Sequence, residues 1–119
     1  MARARDKRKT LRVRPFIVAC RVAATGRQID GYVTDLSARG ARVSTDSEVP
    51  DAGTSVRIEL RLGRRDSVET IDGQVKWVRP SEGRGQWHSF GVTFLGLRPE
   101  VAVAIEGVVE DFRRRAAQL

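Results

Sequence analysis

Hydrophobic and polar residues alternate along most of this chain. From Thr54 to Leu62, Val56, Ile58, Leu60 and Leu62 share one parity, and Arg57, Glu59 and Arg61 share the other. Side chains on a strand point to opposite faces in turn, so this pattern predicts a half-buried β-strand. Phe16, Val18, Cys20 and Val22 repeat it, as do Ile71, Val75 and Trp77, with Gly73 as a bulge or close-approach point. Phe90, Val92 and Phe94 form another set. Ile29, Gly31 and Val33 give a weaker one, followed after a turn by Ala41, Val43 and Thr45. Turn-forming residues separate the runs at Ala24–Gly26, Ser37–Gly40, Pro50–Gly53, Gly63–Asp66 and Pro80–Gly85. Six short strands with short connections predict an antiparallel barrel or sandwich.

The period then changes. Val101, Ile105, Val108, Val109, Phe112, Ala116 and Leu119 fall on one helical stripe, and Pro99 suits a first helical turn. Acids come early and Arg113, Arg114 and Arg115 come late, as the helix dipole favours. Gly107 inside the helix is expected where the helix comes close to the barrel.

The chain has 119 residues, which is one domain. No apolar run reaches the ~18–20 residues of a membrane span, and the first 14 residues lack the apolar core of a secretory signal. A single cysteine, Cys20, leaves no disulfide framework, and a single histidine, His88, makes a metal centre or a His-based catalytic centre hard to assemble. These features predict a cytoplasmic protein without metal or cofactor, and not an enzyme. Cys20 shares the parity of Phe16 and Val18 and is read as core. His88 is read as a hydrogen-bonded strand residue.

The formal net charge of +7 is unevenly spread. Residues 1–14 hold seven basic side chains against Asp6, a net of +6, and the other 105 residues are close to neutral. The chain therefore divides into a flexible basic arm over 1–14, a barrel over 15–97 and a C-terminal helix over 98–119. Such an arm reads as a phosphate- or nucleic-acid-binding segment, or as a solvated tail.

Two short motifs carry candidate chemistry. Arg8-Lys9-Thr10-Leu11-Arg12 is an RxxxR at the end of the arm, and Asp35-Leu36-Ser37-Ala38-Arg39-Gly40 is a DxSxxG in a strand-to-strand turn. Either alone is common. In this order, with strands followed by a helix, they resemble the PilZ domain family of cyclic di-GMP receptors over residues 8–112. Gly91-Val92-Thr93-Phe94 resembles the family's GVxF strand, and Ile71 to Arg79 its GxVxW/V strand. The resemblance implies a six-stranded antiparallel PilZ-like β-barrel with a C-terminal α-helix. It implies that Arg8, Arg12, Asp35, Ser37 and Gly40 hold the nucleotide, and that Lys7 sits where the family tunes how many nucleotides bind. Arg39, Arg42 and Arg79 are candidates for further phosphate contacts.

The residue chemistry is compatible. Arginine is a bidentate partner for guanine O6 and N7 and for phosphate. A carboxylate accepts from guanine N1–H and its 2-amino group. Gly40 allows a positive φ and close backbone approach. The function this implies is a cyclic di-GMP-binding bacterial receptor whose arm changes conformation on binding. It would signal in trans to a protein effector that controls motility, polysaccharide or biofilm output. The rival reading is a nucleic-acid-binding small β-barrel with a basic arm. That rival needs exposed aromatics for base stacking, and the pattern leaves only Tyr32 and Trp87 outside core positions. A further reading is a PilZ-like interaction module that binds no ligand. A hydrolase built on Asp35, Ser37 and His88 is the weakest.

Overall fold

The structure is a computed structural model that describes residues 18–62, 68–81 and 87–117. Among the described residues, six strands and one helix follow in order: β1 (Val18–Ala24), β2 (Arg27–Leu36), β3 (Gly40–Thr45), β4 (Ser55–Arg61), β5 (Val68–Arg79), β6 (His88–Phe94) and α1 (Pro99–Ala117). The strands pair antiparallel in the order β1-β2-β3-β6-β5-β4, and β4 closes onto β1. Closure pairs each of these six strands on both sides.

The alternation seen in the sequence becomes the inside of this barrel. Cys20, Val22 and Ala24 of β1 and Val56, Ile58 and Leu60 of β4 are buried, with Arg21, Ala23, Arg57 and Glu59 between them pointing outward. Phe90 of β6 is fully buried at the centre, a burial that stabilises by roughly 1.5–3 kcal/mol. Thr45 is the one buried polar residue of the core among the described residues. Its hydroxyl donates to the Asp30 carbonyl at 2.8 Å and accepts from Ser47 N–H at 3.1 Å. Phe16, at the head of the first predicted strand, lies outside the described residues.

Two strands depart from strict alternation. In β2 the pairing with β3 runs Val33↔Val43 and then Asp35↔Arg42, so Thr34 is an inserted residue. In β5 the pairing with β6 runs Val75↔Val92 and then Trp77↔Gly91, so Lys76 is inserted. A β-bulge of this kind sets two residues against one and turns the following side chain. The inward position after Val33 therefore passes to Leu36, and Asp35 is exposed. Likewise Val78 packs against the core, and Trp77 moves to the outer face. The expectation that Trp77 continues the Ile71–Val75 stripe is corrected by this bulge, which lies beyond Gly73.

Helix α1 buries Val101 and Ile105, while Val108, Val109 and Phe112 are half-buried. Arg98, just before it, bridges Glu100 and Glu69 of β5, each at 3.2 Å, and its carbonyl accepts from Val101 and Ala102 N–H. Gly107 does not mark a close approach to the barrel: it is exposed, and a Cβ there would meet open space.

Candidate functional site

The β2–β3 turn is built by its own side chains. Ser37 N–H donates to the Gly40 carbonyl at 3.0 Å, and the Ser37 hydroxyl oxygen accepts from Arg39 N–H at 3.1 Å. This is a serine turn, in which a short hydroxyl side chain takes a backbone donor two residues on. The Arg39 carbonyl then accepts from Phe94 N–H at 2.9 Å, which fastens the turn to the end of β6. Gly40 sits so close to β6 that a Cβ would run into the Val92 carbonyl oxygen. The close approach expected of Gly40 is present, but its φ is not positive; the need for glycine here is purely steric.

Beside this turn lies an open cavity of about 300 Å³. Asp35, Ser37, Arg39, Gly40 and Arg42 line it from β2, the turn and β3, and Lys76, Trp77 and Gly91 line it from β5 and β6. Sequence reasoning missed Lys76 and Trp77. The indole of Trp77 lies against Gly91, where any Cβ would strike the ring. Arg79 places its guanidinium carbon over the same indole, 5.4 Å from the centroid, at cation–π range. Arg79 thus adjoins the cavity through Trp77 without lining it.

The cavity is electropositive. Arg39, Arg42 and Lys76 face one carboxylate, Asp35, a net of +2. Arg42 donates from Nε to Thr34 Oγ1 at 3.3 Å, and neither Arg39 nor Lys76 has an ion-pair partner among the described residues. The cationic donors and the one carboxylate suit an anion that also presents N–H groups. Arg8, Arg12 and Lys7 lie outside the described residues.

A second groove, on the outer face of β4, β1 and β2, carries Tyr32 and Trp87, whose ring centroids are 6.0 Å apart. These are the exposed aromatics that nucleic-acid binding would need. Their groove holds Arg21 and Arg61 against Asp30, Asp46 and Glu59, a net of −1, which repels a phosphate backbone. His88 does not line the Asp35 cavity, and its Nδ1 accepts from Ser81 N–H at 2.9 Å, as a structural strand histidine does. Cys20 is buried, and its thiol is pushed up to about 12, chiefly by burial and further by the charge of Asp30. No cluster of three or more metal-ligating side chains occurs among the described residues, and no helix there is long and apolar enough to cross a membrane.

The fold and this turn-flanked cavity define a small closed β-barrel with an electropositive surface cavity, and the comparisons with known proteins give its family. The PilZ domain profile matches residues 6–111, and the chain belongs to the PilZ domain family. Among solved structures it is similar to the PilZ domain with c-di-GMP of YcgR from Escherichia coli, with a TM-score of 0.65, 18% identity, and coverage of 91% of this chain and 99% of that one. It is also similar to YcgR in complex with c-di-GMP from Escherichia coli (TM-score 0.64, 20% identity, 90% of this chain and 48% of that one). The third is the Bacillus subtilis inhibitor of motility MotI/DgrA (TM-score 0.67, 12% identity, 84% of this chain and 48% of that one). The chain thus spans about half the length of the latter two proteins. No curated protein sequence matches it.

Proposed function

We propose that this protein is a cytoplasmic receptor for cyclic di-GMP that binds the nucleotide without chemically changing it. The observation that carries the reading is the net +2 cavity at the DxSxxG turn, with one outward carboxylate, in a chain of the PilZ family. Cyclic di-GMP has two phosphate charges and two guanines. Asp35 accepts from guanine N1–H and the 2-amino group. The Ser37 hydroxyl, whose oxygen already holds the turn, keeps its proton free to donate to a base edge or phosphate. Arg39 and Arg42 supply charge for the phosphates, and Trp77 gives an apolar aromatic wall beside which a purine packs.

Arg8 and Arg12 complete the site from the arm, with Lys7 beside them. The arm closes over the nucleotide and changes the surface offered to a protein partner, the order-on-binding logic of basic segments. Output passes in trans to that partner. The YcgR structures hold c-di-GMP and the Bacillus protein is an inhibitor of motility, which supports a motility or surface-behaviour output in bacteria.

Calorimetric titration of the full chain with cyclic di-GMP, cyclic di-AMP and a single-stranded oligonucleotide tests the reading. Cyclic di-GMP should bind saturably. Cyclic di-AMP should bind at least about tenfold more weakly, because adenine offers no N1–H or 2-amino donor to Asp35 and a lost polar pair costs on that scale. The oligonucleotide should bind weakly and lose its affinity steeply with salt. Equal affinity for both dinucleotides would remove the base-reading role of Asp35. Tight oligonucleotide binding without dinucleotide binding would install the nucleic-acid reading instead.

A further inference from the structure

We infer that Lys76 is a phosphate-contacting residue of this cavity, delivered to it by the β5 bulge; the inference rests on the cyclic di-GMP reading above. On a regular strand, Lys76 would be one outward residue between two inward ones. The bulge makes Lys76 and Trp77 consecutive outward side chains beside a single stretch of β6, Gly91 to Val92. A cation and an aromatic wall are thereby presented side by side, a pairing that fits a phosphate next to its base. Bulges beside binding sites re-aim side chains in this way.

The charge pattern of the outer face sets Lys76 apart. The cations of β1, β2 and β4 are engaged elsewhere: Arg21 with Asp30 at 3.0 Å, Arg27 with Glu48 at 4.0 Å, Arg57 with Asp72 at 3.0 Å, and Arg61 also has a partner. On β3, Arg42 is held by Thr34, and on β5, Arg79 lies over Trp77. Lys76 is the remaining strand cation among the described residues, exposed and without an ion-pair partner, and it lines the cavity. A cation held near like charges from Arg39 and Arg42, with only Asp35 to offset them, gains most when an anion enters. Lysine suits this task as a compact point charge for phosphate.

The test uses the full chain with Lys76→Met, Lys76→Arg and Asp35→Ala, titrated with cyclic di-GMP at several salt concentrations. Lys76→Met should bind about tenfold more weakly, the scale of one charge-assisted contact, with a flatter salt dependence. Lys76→Arg should recover most of the affinity. The Tm of both variants without nucleotide should match that of the native chain. If Lys76→Met binds like the native chain with the same salt dependence, while Asp35→Ala fails to bind, Lys76 is a solvated surface residue and the inference falls alone. Affinity lost together with Tm, and not recovered by arginine, would also overturn it as a folding effect. If the native chain itself does not bind cyclic di-GMP, the parent reading fails and takes this inference with it.

Discussion

Asp35 and Trp77 stand on different strands, and each is the residue that follows an inserted bulge position and turns outward to the same cavity. By simple alternation from Ile29 or from Ile71, both would face the core. Burial of the Asp35 carboxylate without a partner would cost several kcal/mol, so a regular β2 would conflict with its own sequence. The bulge resolves the conflict by giving Leu36 the inward position. The same device in β5 exchanges Trp77 for Val78. The site is therefore a product of two local breaks in the barrel's regularity, one on each side of the β3–β6 pair.

Gly91 is the floor on which Trp77 rests, and Gly91→Ala tests that relationship. The added Cβ would strike the indole ring, so the side chain must leave its place or the strands must part. Overpacking of this kind costs about 1–3 kcal/mol. The variant should melt at a lower temperature and bind cyclic di-GMP more weakly, with a changed tryptophan emission spectrum. Unaltered emission and affinity would mean that Trp77 is not fixed by Gly91.

Much of this architecture was legible in the sequence. Val56 to Leu62 announced β4 because a closed barrel needs one apolar face per strand. That Asp35, Ser37 and Gly40 come together was legible because the turn motif holds all three within six consecutive residues, and all three line the cavity. Trp77 was misread because the period-two pattern has no symbol for a bulge. A signal was present: strict alternation after Val75 carries Trp77 and then Arg79 to the core side, and an unpaired arginine cannot stay there. Lys76 was passed over because the cavity it lines is shared with the β2–β3 turn, which is distant in sequence and comes near it only through the strand order β2-β3-β6-β5. Gly107 was misplaced because helical periodicity tells which face is apolar and leaves open how close the barrel comes.

Gly107→Ala should stabilise the protein. The position is helical, exposed and surrounded by open space, so the methyl group meets nothing. The gain should be about 0.5–1 kcal/mol, from the lower helix propensity of glycine. Thermal unfolding measures it as a rise of a few degrees in Tm, with nucleotide affinity unchanged. A loss of stability would indicate that a partner or another segment packs there.

Cys20 should make the protein weaker in alkali. Its thiol has an ordinary value of 9.0 and is raised to about 12 in the fold, first by burial and then by the nearby Asp30 charge. Above pH 9 the unfolded chain loses this proton while the native one keeps it, so stability falls as pH rises from 9 toward 12. One such group contributes at most about 1.4 kcal/mol per pH unit. Cys20→Val, nearly isosteric and apolar, should flatten the alkaline arm of a stability–pH curve relative to the native chain. Identical curves would assign the loss to other groups. Native Cys20 should also resist thiol reagents at neutral pH.

Arm closure makes a prediction that proteolysis resolves residue by residue. In the proposed mechanism, Arg8 and Arg12 touch the nucleotide, and Arg3 and Arg5 do not. Bound ligand then restrains the backbone between the first pair, and a restrained backbone cannot enter a protease cleft. Trypsin should cut the free protein early at Lys7, Arg8, Lys9 and Arg12, ahead of the arginines within the barrel strands, whose backbone is tied into the sheet. Saturating cyclic di-GMP should slow cleavage from Arg8 to Arg12 and leave Arg3 and Arg5 unprotected, as read by mass spectrometry over a time course. Arg8→Ala and Arg12→Ala should each lose about 1–3 kcal/mol of binding, the scale of a bidentate guanine contact. Each should also weaken the protection of the remaining cuts in step with the lost affinity. Cleavage between Arg8 and Arg12 at the same rate with and without bound nucleotide would show that the arm is not the moving part, and the signal to a partner would have to leave from the turn at Ser37 to Gly40 instead.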